Sequence, residues 1–172
     1  MLKHRILIPL DGSHFSQQIL SQIRRFLDPV ENELILLRVA PLPEGMVGMP
    51  AKPAAVEWPI SVHASHRDAE MARHPIYASQ VWATQEARVK DELWEEVSYL
   101  REAGYVVSVE VKFGEPAEEI LNFIENEHID LVAMTTHGRT GLRRFIFGSV
   151  AESVLRRSPV PVMVLRPTVQ KE

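Results

Sequence analysis

Two glycines and a serine near the end of the chain have the spacing of an anion-binding loop. Gly138 and Gly148 lie in a basic and apolar segment that follows a short apolar run, and Ser149 opens a helical pattern. The first N–H groups of a helix lack intrahelical partners and favour an anion such as phosphate. Gly138 would let a second backbone segment reach the same anion. The other interpretation is that the glycines only form turns and that Ser149 is only a helix N-cap.

Other polar side chains could act on the same ligand. Asp11, in the sequence LDGS, either caps the helix after it or accepts hydrogen bonds from an amine or hydroxyl of a ligand. His137 offers a backbone N–H or a ring nitrogen, or is exposed and uninvolved. The arginines of the glycine segment either attract phosphates or form a solvated surface; they are Arg139, Arg143 and Arg144.

The sequence indicates binding rather than rapid chemistry. It contains no Gly-Lys-Ser/Thr sequence of a Walker loop, and no pair of a base and a nucleophile is evident. We therefore predict no catalytic residue and, at most, slow hydrolysis. His63 and His66 form a His-x2-His pair with His74 nearby, but the further ligands of a closed zinc site are missing, so no metal site is predicted.

Composition narrows the class of protein. The 172 residues suit one domain, and the net charge of −4 argues against nucleic-acid or anionic-membrane binding. The absence of cysteine excludes disulfides and thiolate metal sites. The first apolar run is too short for a signal-peptide core, so we predict a cytoplasmic protein.

The elements that must position these residues alternate between strands and helices. Runs typical of buried strands are Arg5–Leu10, Glu33–Ala40, Tyr105–Gly114, Asp130–Met134 and Val160–Leu165. Residues with helical spacing are Phe15, Ile19, Ile23 and Phe26; Val89, Leu93, Val97 and Leu100; Ala117, Ile120, Leu121 and Ile124; and residues 149–157. We expect Glu92, Glu95 and Glu96 on a solvated helix face. This alternation predicts an α/β domain with a parallel sheet, whose ligands bind beyond the carboxyl ends of the strands. The Asp11 turn and the glycine segment both lie there.

One segment departs from this alternation. Between about residues 41 and 75, prolines interrupt every period, so we predict a Pro-rich insertion within one domain of residues 1–172. Its Trp58 and Met71 are expected to dock it onto the sheet or onto a partner subunit.

Three stretches resemble the universal stress protein family in its nucleotide-binding branch: ILIPLDGS, the LLRV that ends the second strand, and THGRTGLRRFIFGSVAESVLRRSPVPVMVL. The resemblance implies a flavodoxin-like, Rossmann-like sheet of five parallel strands in the order 3-2-1-4-5. It also implies a dimer that binds ATP or a related adenine nucleotide, with Mg²⁺ as an optional companion, in stress response or signalling.

The family motif Gly-x2-Gly-x9-Gly-Ser/Thr maps onto particular positions. Gly138, Gly148 and Ser149 match it, whereas Thr135 stands where the family has its first glycine. The residues that the resemblance implies for nucleotide binding are Pro9, Asp11, Val39, Met134, Thr135, His137, Gly138, Gly148, Ser149, Val150 and Ala151.

The final strand predicts an association surface. Val162–Leu165 is apolar and carries no charge, which favours pairing of two copies edge to edge in a homodimer. Two alternatives to a nucleotide-responsive dimer stay open: a dimeric interaction module that has lost its nucleotide site through Thr135, and a slow ATPase.

Overall fold

Five parallel strands form one sheet with the order β3-β2-β1-β4-β5, which confirms the predicted fold class. The computed structural model describes residues 3–42, 75–136 and 148–167, with backbone only for residues 75–80. The strands are β1 His4–Pro9, β2 Asn32–Ala40, β3 Val106–Phe113, β4 Leu131–Thr135 and β5 Val162–Leu165. The helices are α1 His14–Gln17, α2 Ile19–Phe26, α3 Pro75–Glu92, α4 Trp94–Glu102, α5 Pro116–Asn126 and α6 Ser149–Arg157.

Helices cover both faces of the sheet, as the continuous apolar runs of β1 and β2 require. On one face, Ile8 and Leu36 are fully buried against α2 and α4. On the other, Leu7 and Leu37 pack with α5 and α6. The apolar positions predicted for α4 and α5 are all buried: Val97, Leu100, Ala117, Ile120, Leu121 and Ile124.

A third, smaller cluster closes the carboxyl end of β2 and β3. The rings of Trp82 and Phe113 meet edge to face with centroids 4.6 Å apart, and Ala40 and Val89 pack beside them. This cluster fixes α3 over the strand ends. Residues 43–74, which hold most of the predicted insertion with its histidines, Trp58 and Met71, lie outside the described residues.

Two predicted burial positions are wrong. Phe26 is 63% exposed because α2 ends there; the chain becomes extended at Leu27, whose side chain packs against the first core cluster instead. Glu96, expected on a solvated face, is buried because α1 packs over it and the Gln17 amide donates to its Oε1. Within the described part of the chain, the Glu96 Oε2 has no hydrogen-bond partner.

Candidate nucleotide-binding site

A pocket of about 750 Å³ opens at the carboxyl ends of β1, β2 and β4. This volume is within the range of small-molecule sites. The structure brings nine of the predicted site residues to its wall: Pro9, Asp11, Val39, Met134, Thr135, Gly148, Ser149, Val150 and Ala151. The other two, His137 and Gly138, lie outside the described residues, as do the three arginines of the glycine segment. The pocket therefore joins two loops that the sequence separates by more than a hundred residues.

The turn after β1 holds a carboxylate at the pocket wall. Gly12 has φ +76°, a conformation that favours glycine. The Asp11 Oδ1 accepts hydrogen bonds from the Ser13 N–H (2.9 Å) and the Ser13 hydroxyl (2.6 Å). Ser13 is the N-cap of α1, because its Oγ accepts the Ser16 N–H at 3.1 Å. Asp11 therefore does not cap the helix itself, and the capping interpretation of Asp11 is wrong.

The N-terminus of α6 lines the same pocket. Gly148 is the N-cap, so the interpretation of Ser149 as N-cap is wrong, and Ser149 is the first helical residue. The Gly148 N–H donates to the Thr136 carbonyl, and the Gly148 carbonyl accepts the Glu152 N–H at 2.9 Å. The amides between these bonds belong to Ser149, Val150 and Ala151, all of which line the pocket. A helix start has no internal acceptor for such N–H groups, so this end of the pocket suits an anion.

The backbone conformation of Gly148 is one that other residues can also adopt. Its φ is −72° and its ψ is 157°, in the extended region that any residue adopts. The conformation of a turn therefore does not require glycine at position 148.

An apolar wall lies at the end of β2. Val39, Leu42, Phe113 and Ile120 line it, and Ala40 closes the ladder to β3 by accepting the Gly114 N–H at 3.0 Å. Such a wall suits a flat aromatic ring, because apolar surface is removed from water on both partners.

Thr135 occupies the end of β4. Its residue is 7% exposed, it pairs with Leu165 of β5, and it lines the pocket beside Met134. A buried threonine here gives the pocket wall a hydroxyl and a methyl group where glycine would give neither.

Sequence analysis missed a charged part of the wall. Arg38 of β2 and Gln85, Arg88 and Glu92 of α3 all line the pocket. The available signal was Arg38, the one charged residue inside the apolar run from Leu34 to Ala40. A charged side chain in a strand buried on both faces is costly unless it is paired, so it indicates a specific role.

The resolved pKa shifts lie away from the pocket. The hydrogen bond from Arg157 of α6 lowers the pKa of the Glu118 carboxyl on α5, and this ion pair joins the two helices. Burial raises the pKa of Tyr105, whose hydroxyl donates to the Leu27 carbonyl at the end of α2. Both contacts act on the scaffold that holds the pocket.

The sheet order and the pocket define an α/β protein of the doubly wound kind, with its ligand site at the carboxyl ends of the strands. The model of the universal stress protein family matches residues 3–166, and the chain belongs to that family. Among helices of the described ranges, none combines the length and apolar character needed to cross a membrane.

Relatives match along nearly the full chain. Universal stress protein MJ0531 of Methanocaldococcus jannaschii is 29% identical over 165 residues, covering 96% of this chain and 83% of the relative. Universal stress protein MJ0577 of the same organism is 28% identical over 162 residues, covering 94% of each chain.

Solved structures agree with the fold. The structure of MJ0577 superposes with a TM-score of 0.69 at 24% identity, over 99% of this chain and 100% of that one. A universal stress protein in complex with cAMP gives a TM-score of 0.60 at 15% identity, over 98% and 100% of the two chains. One from Arabidopsis thaliana with AMP bound gives 0.56 at 15% identity, over 96% and 93%.

Proposed function

We propose that this protein binds ATP or a related adenine nucleotide in the strand-end pocket and acts as a nucleotide-responsive dimer. The observation that carries the proposal is that one pocket combines an apolar wall, a carboxylate and a helix N-terminus. These are the three kinds of surface that a purine, a ribose and a phosphate require.

Each part of the nucleotide has a matching part of the pocket. The purine lies against the apolar wall at Val39, where backbone groups at the end of β2 face its edge. The Asp11 carboxylate accepts hydrogen bonds from the ribose hydroxyls, and such bonds to a charged acceptor are stronger than neutral ones. The phosphates lie at the amides of Ser149 and Val150, where the helix dipole adds to the N–H groups. Mg²⁺ would neutralise part of the phosphate charge.

The family supports the class of ligand. The related structures that contain cAMP and AMP share the adenosine part and differ in phosphate arrangement. These relatives therefore support recognition of the adenosine part most directly. Binding of a triphosphate, as in ATP, is an additional element of the proposal.

Dimer formation uses the edge of the sheet at β5, beyond which the described ranges place no further strand. β5 pairs with β4 on one side, and each residue of Val162–Leu165 is only partly buried in the single chain. An uncharged edge strand favours pairing with another strand, and two-fold symmetry lets the same strand serve both chains. The amino end of α6 lines the pocket, and its carboxyl end leads through a short turn into β5. A ligand at the start of this helix is therefore connected to the edge strand through α6 and that turn.

Thr135 favours a second candidate function. If its side chain fills the space next to the ribose, the protein is a dimeric interaction module without a nucleotide. A slow ATPase is a weaker third candidate, because phosphoryl transfer needs an oriented nucleophile as well as positioned charge.

Titration calorimetry with ATP and AMP tests the proposal, using the purified protein after denaturation and refolding to remove any carried-over ligand. We expect saturable binding by the wild type and weaker binding by Asp11→Asn. Thr135→Gly separates the candidates: tighter binding is expected if Thr135 crowds the ribose. Absence of ATP and AMP binding in both the wild type and Thr135→Gly would refute the proposal and favour the nucleotide-free module.

A further inference from the structure

Arg38 is a buried cation at the wall of the pocket. Its side chain is 10% exposed, although it lies in β2 within the otherwise apolar run from Leu34 to Ala40. Removing a guanidinium from water is costly, so its contacts indicate what it does. Its described contacts include the turn of residues 10–13, which contains Asp11.

The guanidinium of Arg38 lies next to both neighbours of Asp11 in the chain. Its Nη1 donates to the Leu10 carbonyl at 3.2 Å. It also occupies the place where a side chain at Gly12 would begin: a Cβ there would lie 2.5 Å from Nη1, 2.6 Å from Nη2 and 2.9 Å from Cζ. Glycine at position 12 is favoured by its positive φ, and a side chain there would also displace the end of the Arg38 side chain. Leu10 and Gly12 flank Asp11 in the chain, so Arg38 bonds the backbone before that carboxylate and packs beside the backbone after it.

The other contacts complete the arrangement. Ser13 holds the Asp11 Oδ1 from within the turn, with its N–H at 2.9 Å and its hydroxyl at 2.6 Å. Glu92 of α3 places its Oε2 3.9 Å from the Arg38 Nη2, which balances the buried charge. Arg88 shares Glu92 at 3.8 Å. The Asp11 carboxylate is thus bonded by Ser13 and the adjacent Leu10 carbonyl by Arg38, and Arg38 is paired with Glu92 of α3.

We propose that Arg38 is a positioning residue that aims the Asp11 carboxylate at the ribose hydroxyls of the ligand. This inference rests on the proposed function, since it assigns Arg38 to the ribose part of that site. The two terminal nitrogens are essential to it: Nη1 bonds the Leu10 carbonyl while Nη1 and Nη2 together lie beside Gly12, and the single nitrogen of an ammonium group cannot replace both. Arg38 therefore acts by shape as well as by charge.

The experiment compares binding of AMP with binding of 2′,3′-dideoxy-AMP, which lacks the hydroxyls but keeps the base and the phosphate. In the wild type we expect AMP to bind more tightly by about tenfold or more, as for hydrogen bonds to a charged acceptor. In Arg38→Met this preference should fall to about twofold or less, while dideoxy-AMP binds nearly as in the wild type. In Arg38→Lys most of the preference should also be lost. A role in charge alone would instead preserve the preference in Arg38→Lys, and that result would overturn the inference.

Arg101→Met is the matched control. The Arg101 guanidinium also donates to a backbone carbonyl, that of Val107 at 3.0 Å, and Arg101 is not among the residues that line the pocket. Its loss should leave the preference for AMP unchanged. Arg38→Gln provides a second variant if Arg38→Met does not fold, because it keeps a polar side chain in the pocket wall but lacks the two terminal nitrogens of the guanidinium and leaves the Asp11 turn unsubstituted.

The outcomes separate the inference from the proposed function. An equal loss of affinity for both ligands in Arg38→Met and Arg38→Gln would mean general damage to the pocket and would overturn the positioning role. An unchanged preference in both folded variants would overturn it as well, with nucleotide binding intact. A wild type that binds neither ligand would refute the proposed function and the role of Arg38 with it.

Discussion

Replacing Gly148 with valine separates a ligand-binding role of this residue from a conformational one. Gly148 is extended, with φ −72°, so valine at this position brings no positive-φ strain. The expected cost to stability is that of a poor N-cap, about 1 kcal/mol. For a chain of this size, that corresponds to a fall in melting temperature of about 2–4 °C.

The effect on ligand binding should be larger. The side chain of valine adds three carbons beside the amides of Ser149 and Val150, at the wall of the pocket. Losing one hydrogen bond from such an amide to a charged phosphate costs about 1.5–3 kcal/mol. We therefore expect ATP affinity to fall by about tenfold to a hundredfold, measured by titration calorimetry, with melting curves recorded in the absence of ligand.

Gly104→Val is the matched control with the opposite pattern. Gly104 has φ +93° and lies between α4 and β3, outside the pocket lining. Side chains rarely adopt that conformation, so this variant should lose about 1–3 kcal/mol of stability and keep its ATP affinity. A folded Gly148→Val protein that binds ATP as tightly as the wild type would refute the assignment of the phosphates to the start of α6.

Three further predictions concern the edge strand and the scaffold. Val164→Lys should turn the dimer into monomers by light scattering, because it places a charge on the edge of β5; a wild type that is already monomeric at micromolar concentration would contradict the dimer. The lowered pKa of Glu118 means that its pairing with Arg157 stabilises the fold above the unfolded-state pKa and is lost as the pH falls through the folded-state value. Glu118→Gln should therefore melt below the wild type at pH 7 and match it once the wild-type carboxyl is protonated; an equal difference at both pH values would disprove the pairing. Tyr105→Phe should lower the free energy of unfolding in urea by about 1–3 kcal/mol, because a partly buried hydroxyl no longer donates to the Leu27 carbonyl; no change would mean that water replaces this bond.

The order and type of the elements could be predicted from the sequence because they depend on local periodicity. The apolar runs of β1 and β2 are continuous since both faces of those strands are buried, and the helical spacing from Val97 to Leu100 reports one buried face. The Asp11 turn and the start of α6 were also predictable, because turn residues and helix starts have local signals. Since parallel strands direct their carboxyl ends to one edge, the sequence placed both loops at that edge. Their meeting also needs β1 and β4 to be neighbours, which the family resemblance implied and the structure shows.

Tertiary structure decided what depends on partners distant in the chain. Arg38 lines the pocket with its guanidinium bonded to the Leu10 carbonyl and next to Gly12, and no local pattern within β2 predicts those contacts. Glu96 is buried because Gln17 of α1 packs over it, whereas its spacing on α4 indicates only a polar face. The sequence by itself predicted that the candidate site lies at the carboxyl ends of the strands and that the Asp11 turn and the start of α6 form part of it. Only the packing of α1 and α3 against the strand ends determined which charged side chains were removed from water, because that burial depends on contacts between elements.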